Sequence, residues 1–343
     1  MREQSETNAY IEDMLSQPDC LRRVRIEEIQ QALGPISREI GAYKRVILTG
    51  MGSSHAALRP LWLSLAQIGT PAWLTDAAEC LGSLTALIDS QTLVIMASQS
   101  GRSAEIVALA DEVRQRGGKL LAITNDLDSP LAHTADAVVD IRVGVEHAVS
   151  TKTYLNTLGV GLALGRIFLG KGIDDVLQRT ADVLERYLSD WREQTERLKH
   201  EVGLPQRLYF LARGPSLASA EYGALISKEA ARWPVEALSV PQFRHGPMEL
   251  ADERLTVVLF AGADPVARRH NSAFHADLEG YGARSFWLDS GPGSGAFAIP
   301  DTDSDTRQFA ETLPLQLLSI AIAEGSGIAP GTFRHLKKVT TVL

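Results

Sequence analysis

Two stretches of this chain are versions of one another, and that constrains the fold more than any other feature. "RVILTGMGSSHAAL" begins at Arg45 and "RLYFLARGPSLASA" begins at Arg207. In each, a basic residue leads a short apolar run, followed by a glycine, a serine and an alanine-rich stretch, so that Gly52 matches Gly214 and Ser54 matches Ser216. A second apolar run follows in both halves, "TLVIMAS" from Thr92 and "LTVVLFAG" from Leu255. A third follows a glycine, "GGKLLAIT" from Gly117 and "GARSFWLD" from Gly282. The stretches between are helical: in residues 104–115, Ile106, Leu109, Ala110 and Val113 recur at the spacing of one helix face. Uninterrupted apolar strands alternating with helices bury both faces of a parallel sheet. The expected fold class is α/β, with two doubly wound, flavodoxin-like parallel-sheet domains related by internal duplication.

A chain of 343 residues has room for two such cores. The expected boundaries are a helical extension over 1–24, a first domain over 25–172, a linking helix over 173–200, a second domain over 201–325 and a tail over 326–343. Val176, Leu177, Ala181, Leu184 and Leu188 mark the apolar face of the linking helix. A net charge of −8 without any long Lys/Arg block argues against a nucleic-acid partner. Cys20 and Cys80 stand far apart, with no metal-ligand spacing, which points to a reducing compartment and to no metal. The polar, acidic start "MREQSETNAYIEDML" is unlike a signal peptide, and the apolar stretch 154–170 is interrupted by Asn156 and Arg166. A cytoplasmic protein with no membrane partner is expected.

Ligands of open parallel sheets sit beyond the carboxyl ends of the strands, where helix N-termini favour anions. Two loops of the first half suit a phosphate: 50–54, with Gly52, Ser53 and Ser54, and 98–103, with Ser98, Gln99, Ser100 and Ser103. One serine suffices to cap a helix, so three hydroxyls and an amide in "SQSGRS" exceed what capping needs. The matching loop of the second half, 261–264, carries Asp264 in place of the hydroxyls, so phosphate binding is expected in the first half alone.

The turn GMGSS, the loop SQSGRS and "STKTYLNTL" from Ser150 together resemble the sugar isomerase (SIS) domain family, twice repeated from about residue 20 to the end. "SQPDCLRRV" from Ser16 is similar to the opening of its stand-alone members. The resemblance is to the isomerase half of glucosamine-6-phosphate synthase and to aminosugar-phosphate deaminases and deglycases. The synthase's glutamine-hydrolysing half is not expected in a chain of this length. What the resemblance implies is proton transfer between C1 and C2 of a hexose or hexosamine 6-phosphate, through an enediol or enolamine and without a cofactor. It sets Glu229, in the pair Lys228-Glu229, as the proton carrier, and His245, in "FRHGP", as the ring-opening group. Lys338, next to Lys337 in the C-terminal "KKVTTVL", becomes the lysine at the carbonyl end. Ala148, Ser150 and Thr151, followed by Lys152, fall on the sugar pocket. In relatives the histidine serves a neighbouring subunit, which implies a homodimer with shared active sites.

One departure is visible. Tyr222 and Ile226 stand where the synthase-like pattern carries a glutamate and a lysine. Isomerisation, deamination and deglycation of a fructosamine 6-phosphate therefore stay open, and a non-catalytic sugar-phosphate sensor is the rival from another class. A transcriptional sensor needs a helix-turn-helix, for which residues 1–44 are short and acidic.

Overall fold

The computed structural model describes residues 8–34, 36, 39–171, 175–291 and 293–335. It contains two sheets, both wholly parallel. The first is made of β1 (Arg45–Gly50), β2 (Ala72–Asp76), β3 (Thr92–Ala97), β4 (Lys119–Thr124) and β5 (Ala137–Asp140), in the order β2-β1-β3-β4-β5. The second is made of β6 (Arg207–Ala212), β7 (Val235–Ser239), β8 (Leu255–Phe260) and β9 (Arg284–Leu288), in the order β7-β6-β8-β9. The four strands of the second sheet thus repeat the arrangement of the first four of the other. The repeat extends to backbone detail: Gly52 and Gly214, each in the turn after the leading strand, have φ of 54° and 56°.

The central strands are apolar because both of their faces are covered. Every residue of β3 and of β8 is buried. In the first sheet, Val94 and Met96 pack with Ile106, Leu109, Ala110 and Val113, the apolar stripe of the Ala104–Gln115 helix. In the second, Val257 and Leu259 pack with Phe274 and Leu278 of the Pro265–Gly280 helix.

The chain divides into two compact units whose boundaries do not follow the sequence repeat. One unit holds the first sheet, in Asp19–Glu146 and Lys152–Gln178. The other holds the second sheet, in Arg179–Arg334, and takes in residues 8–18 and His147–Thr151 as well. Ala148, Ser150 and Thr151, which the sequence sets inside a first domain over 25–172, therefore belong with the second sheet. The run expected to form one linking helix forms two, Val176–Leu188 and Trp191–Glu201. The break falls at Ser189-Asp190, residue types that favour helix ends because their side chains compete for backbone hydrogen bonds. Among the described residues, no helix is long and apolar enough to cross a membrane.

Candidate functional site

In the first sheet the strand order reverses between β1 and β3, which are hydrogen-bonded neighbours with Gly50 opposite Ala97. The connections after these strands leave in opposite directions across the sheet and open a crevice at their carboxyl ends, where doubly wound sheets take their ligands. Both hydroxyl-rich loops start there. Residues 98–103 lead from the end of β3 into the 12-residue Ala104–Gln115 helix. Ser103 occupies the N-cap position of that helix, yet its hydroxyl makes no capping hydrogen bond. The other two hydroxyls shape the loop: Ser98 Oγ accepts the Gly101 N–H at 3.1 Å and Ser100 Oγ accepts the Arg102 N–H at 3.3 Å. Gln99 contributes its backbone carbonyl, which accepts the Asn125 N–H at 3.1 Å. Arg102 pairs with Asp126 at 2.8 Å and donates to the Asp128 carbonyl at 3.1 Å. Ser53 and Ser54 lie in the first turn of the Gly52–Ala57 helix, Ser54 buried and Ser53 half-buried.

The corresponding strand ends of the second sheet already hold carboxylates of the chain itself. Asp264 Oδ1 and Oδ2 accept the N–H groups of Val266 and Ala267, at 3.1 Å each, at the start of the Pro265–Gly280 helix. Ser216, the counterpart of Ser54, donates to Glu311 Oε1 at 2.8 Å. Glu311 also accepts from Arg307 at 3.0 Å, Arg307 bonds Asp289 at 2.8 Å, and Arg268 bonds Asp289 at 3.1 Å. Burial pushes the Glu311 carboxyl above its usual value, against the pull of Arg307 and Ser216. Burial also pushes Asp289 up, but the hydrogen bonds from Arg268 and Arg307 outweigh it and hold Asp289 below the usual carboxylate value.

The unit of the second sheet gathers most of the remaining candidates. Glu229 lies near the end of the Ser216–Ala230 helix and is half-buried. The next residue, Ala230, accepts the Gly331 N–H through its carbonyl at 3.1 Å. Gly331 has φ of 74°, and a Cβ there would lie 2.5 Å from Tyr10 Cβ and 3.5 Å from Ala148 Cβ. Tyr10, from the Ala9–Leu15 helix, hydrogen-bonds Ser319 at 2.8 Å. Burial raises its phenol pKa, the Ser319 hydrogen bond opposes this, and the negative charge of Glu229 adds to the rise. Asp13 of the same helix accepts the His147 and Ala148 N–H groups at 2.7 and 3.1 Å. Tyr222 donates its hydroxyl proton to the Ser150 carbonyl at 2.9 Å. Gly331, packed beside Tyr10 and Ala148, and Tyr222, bonded to Ser150, thus link Ala148 and Ser150 to the helix that carries Glu229; sequence reasoning gave Tyr10 and Gly331 no role and Tyr222 only as a departure from the synthase-like pattern.

Thr151 is fully buried, and Ser150 Oγ is buried with no hydrogen-bond partner among the described residues. His245 caps the C-terminal end of the Val240–Arg244 helix and is exposed, followed by Gly246 at φ 157°. Lys337 and Lys338 lie outside the described residues. No group of three or more His, Cys, Asp and Glu side chains able to hold a metal ion occurs among the described residues.

The strand order and the helices between the strands define the first-sheet unit as a doubly wound α/β domain. Residues 40–165, which contain the whole first sheet and both loops, match the SIS domain family. Over 355 aligned residues the chain is 28% identical to a glutamine–fructose-6-phosphate aminotransferase (isomerizing) of Thermococcus kodakarensis, covering 97% of this chain and 58% of that protein. The chain thus spans a little over half the length of the curated relatives it matches. Two solved structures show the same fold. Glucosamine-6-phosphate deaminase of Thermotoga maritima superposes with a TM-score of 0.77 at 19% identity, covering 97% of this chain and 99% of that one. Tagatose-6-phosphate ketose/aldose isomerase of Escherichia coli gives 0.80 at 19% identity, covering 96% and 97%.

Proposed function

We propose that this chain is a phosphosugar isomerase acting on a hexose 6-phosphate, with an aminated hexose such as glucosamine 6-phosphate as the leading substrate. The observation that carries the reading is Ser103: an N-cap hydroxyl left out of capping, at the head of a 12-residue helix, beside the strand-order reversal of a region that matches the SIS domain family. Helix N–H groups and hydroxyl donors favour a dianion at such a point. Gly52, Ser53, Ser54, Ser98, Gln99, Ser100 and Ser103 are assigned to the phosphate, and Ala148, Ser150 and Thr151 to the sugar. The names of the relative and of both structural neighbours, each concerned with a hexose 6-phosphate, support this substrate class.

In this reading His245 assists opening of the sugar ring. Glu229 removes the C2 proton of the open-chain aldose and returns it to C1, which leaves the ketose with no net change in composition. With an amine on C2, the same transfer yields a C2 imine, and addition of water then releases ammonia. Lys338 is assigned to the carbonyl end. The exposure of His245 suits its service to a second copy of the chain, and a homodimer is part of the proposal.

Tyr222 and Ile226 favour deamination or deglycation over synthesis as the second step, because both are buried and neither brings a charge. The test is to incubate the chain with glucosamine, galactosamine and fructosamine 6-phosphates while assaying ammonia, free amine and ketose separately. Glu229→Gln is expected to retain binding and to lose turnover about 100-fold or more, the contribution typical of a positioned acid–base group. Full turnover in Glu229→Gln overturns the assignment of Glu229. Binding by the unaltered chain without turnover of any sugar in the panel selects the sensor instead.

A further inference from the structure

We propose that Tyr222 is a positioning residue: its hydrogen bond to the Ser150 carbonyl sets where the Ser150 hydroxyl stands, and so governs affinity for the sugar part of the ligand. The proposal deepens the reading above and rests on it for the role of Ser150. Tyr222 is buried, and its hydroxyl has two engagements of opposite sense. It accepts from Gln316 Nε2 at 2.8 Å, and an amide nitrogen can only donate, so the phenolic proton is directed to Ser150, whose carbonyl receives it at 2.9 Å. Gln316 cannot swing away, because its amide and that of Gln17 bond each other reciprocally at 2.8 and 2.9 Å. Gln17 is fixed in turn by the Met14 carbonyl at 2.9 Å. Gln17, Gln316 and Tyr222 are all buried, so the bonds of the chain are shielded from competing water.

The segment that receives this bond is held from a second direction. Asp13 takes the N–H groups of His147 and Ala148, so residues 147–151 are fastened near one end by a carboxylate and near the other by a phenol. Within this span the Ser150 hydroxyl has been taken out of water and given no partner among the described residues. A buried hydroxyl without a partner is unfavourable, and native structures usually satisfy such groups. Here the backbone is anchored on both sides while the side chain is left vacant, an arrangement suited to a ligand hydroxyl or amine that arrives later.

The test uses the full chain with Tyr222→Phe, Ser150→Ala and the double variant, titrated with glucosamine 6-phosphate and with inorganic phosphate. Each single variant is expected to weaken glucosamine 6-phosphate about tenfold, on the order of one hydrogen bond, while inorganic phosphate stays within about twofold. The double variant is expected to be no weaker than the weaker single, since residues acting through one another are not additive. Additive losses overturn the proposal, because Tyr222 then acts apart from Ser150. Equal losses for both ligands overturn it as well, because the variant has then relaxed as a whole. Hydrogen exchange on the unliganded chain is independent of any substrate: Tyr222→Phe is expected to speed exchange in residues 147–151 above the change elsewhere. Unaltered exchange there overturns the tether. If the unaltered chain binds neither ligand, the functional reading fails and takes the sugar-binding half of the proposal with it, and the exchange result alone then decides the tether.

Discussion

A Cβ on Gly101 would lie 2.2 Å from Ser129 Oγ and 2.6 Å from Ser129 Cβ. Ser129 is buried and caps the Pro130–Thr134 helix by accepting the Ala132 N–H, while the Leu131 N–H donates to the Gly101 carbonyl. The loop after β3 and the helix after β4 are therefore interlocked at one glycine, which also has φ of 59°.

Gly101→Ala should lower stability by about 2–4 kcal/mol, combining the left-handed backbone penalty with overpacking against Ser129. Urea unfolding measures this directly. Adding Ser129→Gly removes both clashing atoms and should return part of the loss. An unchanged urea midpoint in Gly101→Ala would show that the loop is not locked.

Ser98 and Ser103 should separate folding from binding. Ser98 Oγ satisfies the Gly101 N–H, so Ser98→Ala leaves a buried donor unpaired and should cost about 1–2 kcal/mol of stability. Ser103 caps nothing, so Ser103→Ala should change stability by less than about 0.5 kcal/mol. Its affinity for inorganic phosphate should fall about tenfold, a charge-assisted hydrogen bond being worth roughly 1.5–3 kcal/mol. Thermal melting and titration calorimetry on both variants decide it. Equal phosphate affinity in Ser103→Ala and the unaltered chain removes that serine from the anion site.

Asp289 should control the acid limb of stability. Its folded pKa is held below the unfolded value of 3.8, so its contribution is present above that value and is lost as pH falls through the lower, folded pKa. Glu311 runs the other way: its raised pKa means stability is lost as pH rises through it. Asp289→Asn should therefore flatten the fall in melting temperature below about pH 4. At neutral pH it should cost about 3–5 kcal/mol, because Arg307 stays buried with one anionic partner fewer. A pH profile parallel to that of the unaltered chain would rule out Asp289 as its source.

Both thiols should be inert in the folded chain. Burial, with the Asp76 charge adding to it, pushes Cys80 up to about 11, and Cys20 is buried too. Ellman's reagent at pH 8 should titrate neither in native buffer and both in denaturant, since only an accessible thiolate reacts. A fast native reaction at either would contradict the packing.

The central strands were legible in the sequence because burial on both faces leaves a continuous apolar run, as in "TLVIMA" and "LTVVLF". Of the edge strands, β9 was read from its apolar run "SFWL", but the other three were not. β2 reads AWLTD, β5 reads AVVD and β7 reads VEALS: short, partly exposed and each carrying an acid, so no periodicity separates them from loops. The loop 98–103 stood out because local chemistry, small residues and hydroxyls at a strand end, already departs from what a turn requires. Tyr10 and Asp13 gave no such sign. Their roles come from partners 309 and 134 positions away, and an isolated helix beginning "AYIEDML" looks like any amphipathic start. Tyr222 was visible as a departure from the SIS pattern, but its engagement with Ser150 needed the third dimension.

The piece 147–151 and the first described helix are counted with the second sheet although both are encoded ahead of its first strand. A gene split at the repeat boundary would thus strand Tyr10, Asp13 and Ser150 on one polypeptide, and Tyr222, Gln316 and Gly331 on the other. The compact unit around the second sheet is therefore written in both halves of the sequence, and neither half spells it out alone.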